Sequence, residues 1–381
     1  MRRNLSKKIV IIAGEESGDQ HAAKLVNELQ QIYPNIKISG LGGYHLQALG
    51  MHNVMDLTQL AITGLTGVLT HLKSIHQAFK LIKRHLINSP PDLVILVDYP
   101  GFNLRMAKWI KTHLTCPVLY YISPQIWAWK EKRKEIIRQY VDHMAVILPF
   151  EYQLYRKEQI PVSYVGHPLM ESLQSVPSQA ECRAHFKWNI QQKILAICPG
   201  SRTGEIKRHM PVLMDALKGM SAQDLKVVIP VAKSLSPSIL ESYLEHCPFP
   251  YELVSGQAQL VMNAADAVVV ASGTASLESA LLNKPTCIIY KSSWLNYYLA
   301  RRFMKVNYLG LSNLLQGQMV VPELLQDDCN AQELTKMFEL ILHSEMWRST
   351  MVRRLQQLNH SLIPQQHHTL PNLVLSLIGL N

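Results

Sequence analysis

The chain has 381 residues, a hydrophobic share of 48%, a charged share of 17% and a net charge of +10. That length suggests two or three domains, and that composition excludes both a disordered chain and a fibrous one. The longest apolar runs, such as Leu93–Val97, fall well short of the roughly 18 residues needed to span a bilayer. The start, MRRNLSKKIVIIAGEESGD, carries no small-residue cleavage site after its short apolar run, so no signal peptide is expected and a cytosolic chain is.

The six cysteines (Cys116, Cys182, Cys198, Cys247, Cys287, Cys329) form no CxxC, which argues against a zinc knuckle or a redox pair. Buried thiols are expected instead. The positive charge is uneven: residues 1–170 hold 20 Lys/Arg and 12 Asp/Glu, whereas residues 171–381 hold 18 and 16. No acid occurs between Asp56 and Asp92. Such a one-sided field suits nucleic acid, a membrane surface or a phosphorylated substrate.

In chain order, Lys8–Ala13 reads as a strand, followed by a glycine turn and a helix from about Gln20 to Gln31. Strand-length apolar runs recur at Ile36–Gly40, Leu93–Val97, Pro117–Ile122 and Met144–Leu148. The pattern restarts at Lys193-Ile-Leu-Ala-Ile-Cys-Pro-Gly-Ser-Arg and continues through Leu225–Pro230, Tyr251–Val254, Ala267–Ala271 and Pro285–Tyr290. Short apolar runs alternating with helical periods predict parallel sheets covered on both faces. The expectation is α/β, with two Rossmann-like doubly wound domains facing a cleft. They are placed at 1–175 and 181–345, with the polar stretch VPSQA (176–180) as linker. A helical tail, 346–381, is expected to return to the first domain or to a partner subunit, giving a possible homodimer. Ligands of such sheets bind at the carboxyl ends of strands, and the candidate residues were sought there.

Gly14-Glu15-Glu16-Ser17-Gly18-Asp19 follows the first strand. Its glycines allow close backbone approach, while its three acids disfavour a pyrophosphate and suit a hydroxyl-rich ligand. A capped tight turn is the competing reading. Asp98 ends the run LVILV before Tyr99-Pro100-Gly101-Phe102-Asn103. Partial burial there would raise its pKa toward the range of a general base; a helix N-cap is the alternative. Tyr120, Tyr121, Trp127 and Trp129 crowd one loop with Gln125, as a surface for sugar faces or acyl chains would, or a core cluster.

The segment Leu69–Leu86 places Leu69, Leu72, Ile75, Phe79, Ile82 and Leu86 on one stripe among Lys73, Lys80, Lys83 and Arg84. A basic amphipathic helix of this kind can lie on an anionic membrane, or simply pack on the sheet. In the second half, Gly200-Ser201-Arg202-Thr203-Gly204-Glu205 supplies a fixed cation able to reach a diphosphate. Ser272-Gly273-Thr274-Ala275-Ser276 opens a later helix whose N–H groups suit phosphate oxygens. Glu278, one turn in, can accept from both hydroxyls of a ribose. Together these loops outline a nucleoside-diphosphate site. The histidines, His167 included, lack metal-ligand spacing, and there is no Asp-x-Asp for a metal–nucleotide complex. A metal-independent reaction without a cofactor is therefore expected.

The motifs GEESGD, GLGG, DYPGFN, YYISPQIWAWK, LPFE, VGHPL, PGSRTGEI, ASGTASLE and VPELLQ stand in an order that resembles the lipid-A-disaccharide synthases. The resemblance runs from about Ile9 to Leu325. The departures are CPGSR where a Leu usually precedes the proline, Ser276 in the ASGT loop, and LSNLL for LPNLL. It implies a GT-B glycosyltransferase of family 19 that joins UDP-2,3-diacylglucosamine to the 6-hydroxyl of 2,3-diacylglucosamine 1-phosphate, with inversion. The products are a β-1,6 disaccharide 1-phosphate and UDP. It further implies work at the cytoplasmic face of the inner membrane, in lipid A assembly. By the same resemblance Asp98 is the base, with Glu16 as the other candidate. Ser201, Arg202, the Ser272–Ser276 loop, Glu278 and Asn313 serve the UDP-sugar donor. Ser17, Gly18, Asp19, Tyr121, Gln125 and Trp127 lie on the acceptor side. Leu69, Leu72, Lys73, Phe79, Lys80, Lys83 and Arg84 are the membrane contact, with acylated glucosamines and an anionic membrane as partners and no nucleic acid. A UDP-sugar 2-epimerase of the same fold, or a basic nucleic-acid-binding protein, would be the alternatives.

Overall fold

The computed structural model describes residues 6–58, 68–128, 131–221, 224–232, 234–293, 297, 306–364 and 369–380. The chain divides into two units, residues 1–168 with 364–381, and residues 169–363.

The first unit is built on a seven-stranded sheet of β1 (Lys8–Ala13), β2 (Lys37–Leu41), β3 (His52–Met55), β4 (Leu93–Val97), β5 (Val118–Tyr121), β6 (His143–Val146) and β7 (Val162–Tyr164). All neighbours pair parallel, in the order β3-β2-β1-β4-β5-β6-β7. Every residue of β4 is buried, as a strand covered on both faces requires. Gly40, at φ 145°, sits where an added Cβ would lie 1.9 Å from the Ile11 carbonyl oxygen, so β2 closes on β1 only with glycine. The winding reverses between β1 and β4, which puts the ligand-binding crevice of such a sheet just beyond Ala13 and Val97.

The second unit repeats this plan with six strands: β8 (Lys193–Cys198), β9 (Leu225–Val231), β10 (Tyr251–Ser255), β11 (Ala267–Ala271), β12 (Thr286–Tyr290) and β13 (Glu323–Leu325). Their order is β10-β9-β8-β11-β12-β13, again parallel throughout. The reversal here falls between β8 and β11, beyond Cys198 and Ala271. A buried ion pair, Arg183 to Asp266 at 2.8 Å, ties helix Gln179–Phe186 to the start of β11.

Two boundaries differ from expectation. The first unit ends at Pro168, and Val176 of the expected linker packs into the second unit's core. Helix Glu345–Ser361 also belongs to the second unit, because Met351, Leu355 and Leu358 fill the core beside Val268 and Leu277. Only residues 364–381 return to the first unit. There helix Leu370–Leu377 lays Leu370, Val374 and Leu375 against Ala22, Val26 and Leu29 of helix Glu16–Ile32. Its apolar face is therefore covered by the first unit of its own chain.

The stripe of helix Val68–Asn88 is the larger correction. Ala78, Ile82 and Leu86 are fully buried against Val10, Ile12, Val94 and Leu96, and Ile75 and Phe79 pack beside them. The Phe79 and Phe102 rings meet edge-on at 5.1 Å, and Lys83 Nζ stands 4.6 Å from the centre of the Phe79 ring. From Ile75 to Leu86 the stripe is core and not free to dip among lipid chains; Lys73, Lys80 and Arg84 remain exposed. The side chains of Leu69 and Leu72 lie outside the described residues. No helix among the described residues is long and apolar enough to cross a membrane. Ile82→Ala is expected to destabilise the protein by about 2–4 kcal/mol in denaturant unfolding, whereas a residue serving only a membrane face would leave the midpoint unchanged.

Candidate functional site

In the first unit the polar side chains converge beyond β1 and β4. Gly14 follows β1 so closely under the Tyr99 ring that an added Cβ would lie 2.3 Å from Tyr99 Cδ1. Helix Glu16–Ile32 then begins earlier than its apolar period indicated. Glu16 and Ser17 are exposed on its first turn, and Glu16 Oε1 is bonded to His45 Nε2 at 3.0 Å and to Gln20 Nε2 at 3.3 Å. Asp19 points the other way. It is fully buried and accepts from the Gly43 and His45 amides at 2.6 and 2.9 Å, so it holds the GLGG turn and is not open to a ligand. Gly18 is buried against Val97 and Ala13.

Asp98 and Tyr99 both stand at φ 45°, and Ile122, at the end of the neighbouring β5, stands at φ 63°. Left-handed backbone at three side-chain-bearing residues is strained, and it persists only where surrounding bonds over-determine it. Here the Asp98 amide donates to the Tyr121 carbonyl at 2.9 Å. The Asp98 carbonyl accepts from Asn103 Nδ2 at 2.7 Å and from Tyr120 Oη at 2.6 Å. Asn103 is fully buried and also donates to the Val97 carbonyl. With the backbone so fixed, the Asp98 carboxyl is met by the Tyr99 backbone N–H, which favours its charged form, against burial and Glu15, which oppose it. The N-cap of helix Pro100–His113 is Tyr99, with no side-chain cap, so Asp98 is not used as one. Burial, helped by the negative Glu15, raises the Asp98 carboxyl to about 6.

The aromatic loop is only partly a surface. Tyr120 is fully buried and Tyr121 nearly so, both within the core; Gln125 is exposed; Trp129 lies outside the described residues. Trp127 is half-buried and donates its indole N–H to Glu151 Oε1 at 3.0 Å. Glu151 went unassigned in the sequence although LPFE was among the matched motifs. It is 2% exposed, and burial lifts its carboxyl to about 8. His167 is pushed down to about 4 by burial and by His21, which leaves it neutral.

In the second unit, Gly200 stands at φ 130°, with Glu205 packed where its Cβ would be. The Glu205 carboxylate accepts from the Ser201 and Arg202 amides at 2.9 and 3.2 Å, closing the turn from inside. That leaves the Arg202 guanidinium, 81% exposed, as the group able to reach an anion; its contact with Glu205 is a long 3.3 Å. His209, fully buried, braces the same turn by bonding the Pro199 carbonyl and the Lys291 amide, a role that no local sequence pattern signals.

Beyond β11, Gly273 and Thr274 are exposed, and Ser272 and Ala275 half-buried. Helix Thr274–Leu281 has no side-chain cap at its Gly273 N-cap, which suits an anion at the positive end of its dipole. Ser276 is an exception: its hydroxyl is buried and donates to the Gly273 carbonyl at 2.7 Å, shaping the turn. Glu278 is half-buried and raised by burial, with Gln259 Nε2 bonded to its Oε1 at 2.9 Å. Asn313 does not face a ligand. It is fully buried, and its amide is committed to Val320, Val321 and Glu323, locking the VPE segment.

The raised Asp98 carboxyl has a consequence for stability. It holds its proton more tightly in the folded chain than in the unfolded one, so stability falls as the pH rises from about 4 to about 6. Asp98→Asn removes that loss. At pH 7 the variant is expected to unfold about 2 kcal/mol harder than the parent, with the gain gone near pH 3.5, as read from denaturant midpoints.

Comparison with known proteins fits this geometry. Residues 9–372 match the family described as lipid-A-disaccharide synthetase. Lipid-A-disaccharide synthase 1 of Legionella pneumophila (strain Paris) is 48% identical, covering 95% of this chain and 94% of that protein. The lipid-A-disaccharide synthase of Nitrosococcus oceani is 39% identical, covering 98% and 97%. Among solved structures, the calicheamicin glycosyltransferase CalG4 superposes with a TM-score of 0.60 over 100% of this chain and 99% of that one. At 15% identity that likeness shows the fold, which is GT-B.

Proposed function

The chain belongs to the lipid-A-disaccharide synthase family, and from that premise we propose how its residues carry out the reaction. It is a glycosyltransferase that makes the lipid A disaccharide. A 2,3-diacylglucosamine passes from UDP to the 6-hydroxyl of 2,3-diacylglucosamine 1-phosphate. Asp98 takes the hydroxyl proton while that oxygen attacks the anomeric carbon from the side opposite UDP, which inverts the configuration. A carboxyl near 6 is ionised at neutral pH and is a stronger base than an ordinary aspartate, so it meets both demands on a general base.

Negative charge grows on the departing UDP. Arg202 and the uncapped N-terminus of helix Thr274–Leu281 supply positive charge for it, fixed before the reaction begins, and no metal or cofactor enters the scheme. Glu278, oriented by Gln259, accepts from the ribose hydroxyls. Glu16 and Ser17 serve the acceptor. Asp98 is preferred to Glu16 as base because Glu16 is exposed and already bonded to His45 and Gln20. The single observation that carries the scheme is the Asp98 carboxyl: partly buried, uncapped, and fixed by its own backbone bonds.

We propose further that the protein meets the cytoplasmic face of the inner membrane through charge, using the exposed Lys73, Lys80 and Arg84. Changing all three to Gln is expected to release the protein from anionic liposomes without altering its unfolding midpoint; undiminished binding would move the contact elsewhere.

Asp98→Asn is expected to leave UDP affinity nearly intact while lowering turnover roughly 100- to 10,000-fold. Arg202→Ala is expected to weaken UDP binding by calorimetry. The reaction itself is tested by mass spectrometry of the product from acylated UDP-glucosamine and acylated glucosamine 1-phosphate. A disaccharide monophosphate is expected, and hydrolysis or epimerisation alone would refute the assignment.

A further inference from the structure

Helix Pro149–Lys157 grips the loop after β5 at two points. Tyr155 Oη and Ser123 Oγ share a buried hydrogen bond of 2.7 Å. One turn earlier, Glu151 Oε1 accepts from Trp127 Nε1 at 3.0 Å, and the adjacent Phe150 ring meets Trp127 edge-on at 5.1 Å. The other Glu151 oxygen, Oε2, is buried and has no hydrogen-bond partner among the described residues. Nor does any described cation pair with Glu151.

Replacing a buried carboxyl that has no cation beside it by an apolar side chain of similar volume is often neutral or stabilising. The Glu151 carboxyl also faces the Ile147 and Leu148 amides at the start of its own helix, but its one contact reaching out to the loop after β5 is with Trp127. That indole belongs to the loop that follows β5, the strand whose last residue, Tyr121, accepts the Asp98 amide on its carbonyl at 2.9 Å. We propose that Glu151 is a positioning residue for the transfer: by holding Trp127 it sets the loop after β5 beside Asp98 for the incoming acceptor. This rests on the assignment of Asp98 as base and of the loop to the acceptor side.

Glu151 acts as the neutral acid, raised to about 8 by burial and further by Asp98. Asp98, from the end of β4, raises the Glu151 carboxyl, and Tyr155, from its own helix, is raised by it in turn. In this form one oxygen accepts from the indole and the other carries a proton, so Asp98 holds the only negative charge of the two carboxyls. Glutamine reproduces that arrangement and methionine removes it.

The test is steady-state kinetics of the full chain with both acylated substrates, alongside thermal unfolding. Glu151→Gln should keep kcat and both KM values within about twofold. Glu151→Met should match or exceed the parent's melting temperature, yet lose about tenfold or more in kcat/KM for the acceptor, with donor KM unchanged. Trp127→Phe, which removes only the indole N–H, should reproduce the kinetic loss, and the double variant should lose little more. If Glu151→Met fails to fold, Trp127→Phe alone decides. Parental acceptor kinetics in either single variant, or an equal loss toward donor and acceptor, would overturn the inference. A parent enzyme that makes no disaccharide would overturn the functional reading and this inference with it; an active parent with unaffected variants overturns this inference alone.

Discussion

A carboxylate drawn partly out of water, with no cation beside it, turns back to solvent unless its backbone is fixed. Asp98 is held in that condition. Its φ of 45° is fixed by the Asn103 amide and the Tyr120 hydroxyl on its carbonyl, and by its own amide on the Tyr121 carbonyl. Those three bonds link β4, β5 and the following helix, so the strain is borne by the sheet rather than by the loop. Much of the first unit can be understood as support for this residue. Gly14 makes room for the Tyr99 ring, Asp19 fixes the adjoining glycine turn, and the core beneath β4 leaves no buried strand residue free to shift.

The second unit uses the same sheet order for the opposite charge problem. Its reversal point offers a guanidinium and an uncapped helix start where the first unit offers a carboxyl. Both turns depend on a glycine with a side chain packed where Cβ would stand, Tyr99 against Gly14 and Glu205 against Gly200. On the proposed mechanism, one fold serves deprotonation in one unit and anion stabilisation in the other. The division of labour rests on which side chains follow β1, β4, β8 and β11. Catalysis by fixed charges needs such groups to be aimed before substrate arrives.

The long buried strands were legible in the sequence because β-branched and leucine runs such as LVILV and AVVVA have no polar face to confuse the period. The edge strands β3, β7 and β13 were not, since they are three or four residues long and half-buried. Asp98, Arg202 and Glu278 stand out as candidates in the sequence because a polar residue just after an apolar strand, or one turn into a helix, has few structural uses. Asp19, Ser276 and Asn313 have the same polar chemistry but turn inward to hold loops, a choice set by tertiary hydrogen bonds that no local pattern encodes. The stripe of helix Val68–Asn88 shows the same limit. Its period reports an apolar face and its lysines report charge, but only packing on Val10 and Leu96 shows what that face touches. Glu151 and His209 escaped because their significance lies wholly in partners distant in sequence.

The most direct measurement is a titration of the Asp98 side chain itself, following carboxyl carbon-13 signals of aspartate-labelled protein and assigning the one absent from an Asp98→Asn sample. The account predicts a midpoint near pH 6, about two units above an ordinary aspartate. A midpoint near pH 4 would show a carboxyl open to water or already neutralised, and would contradict its place as the base.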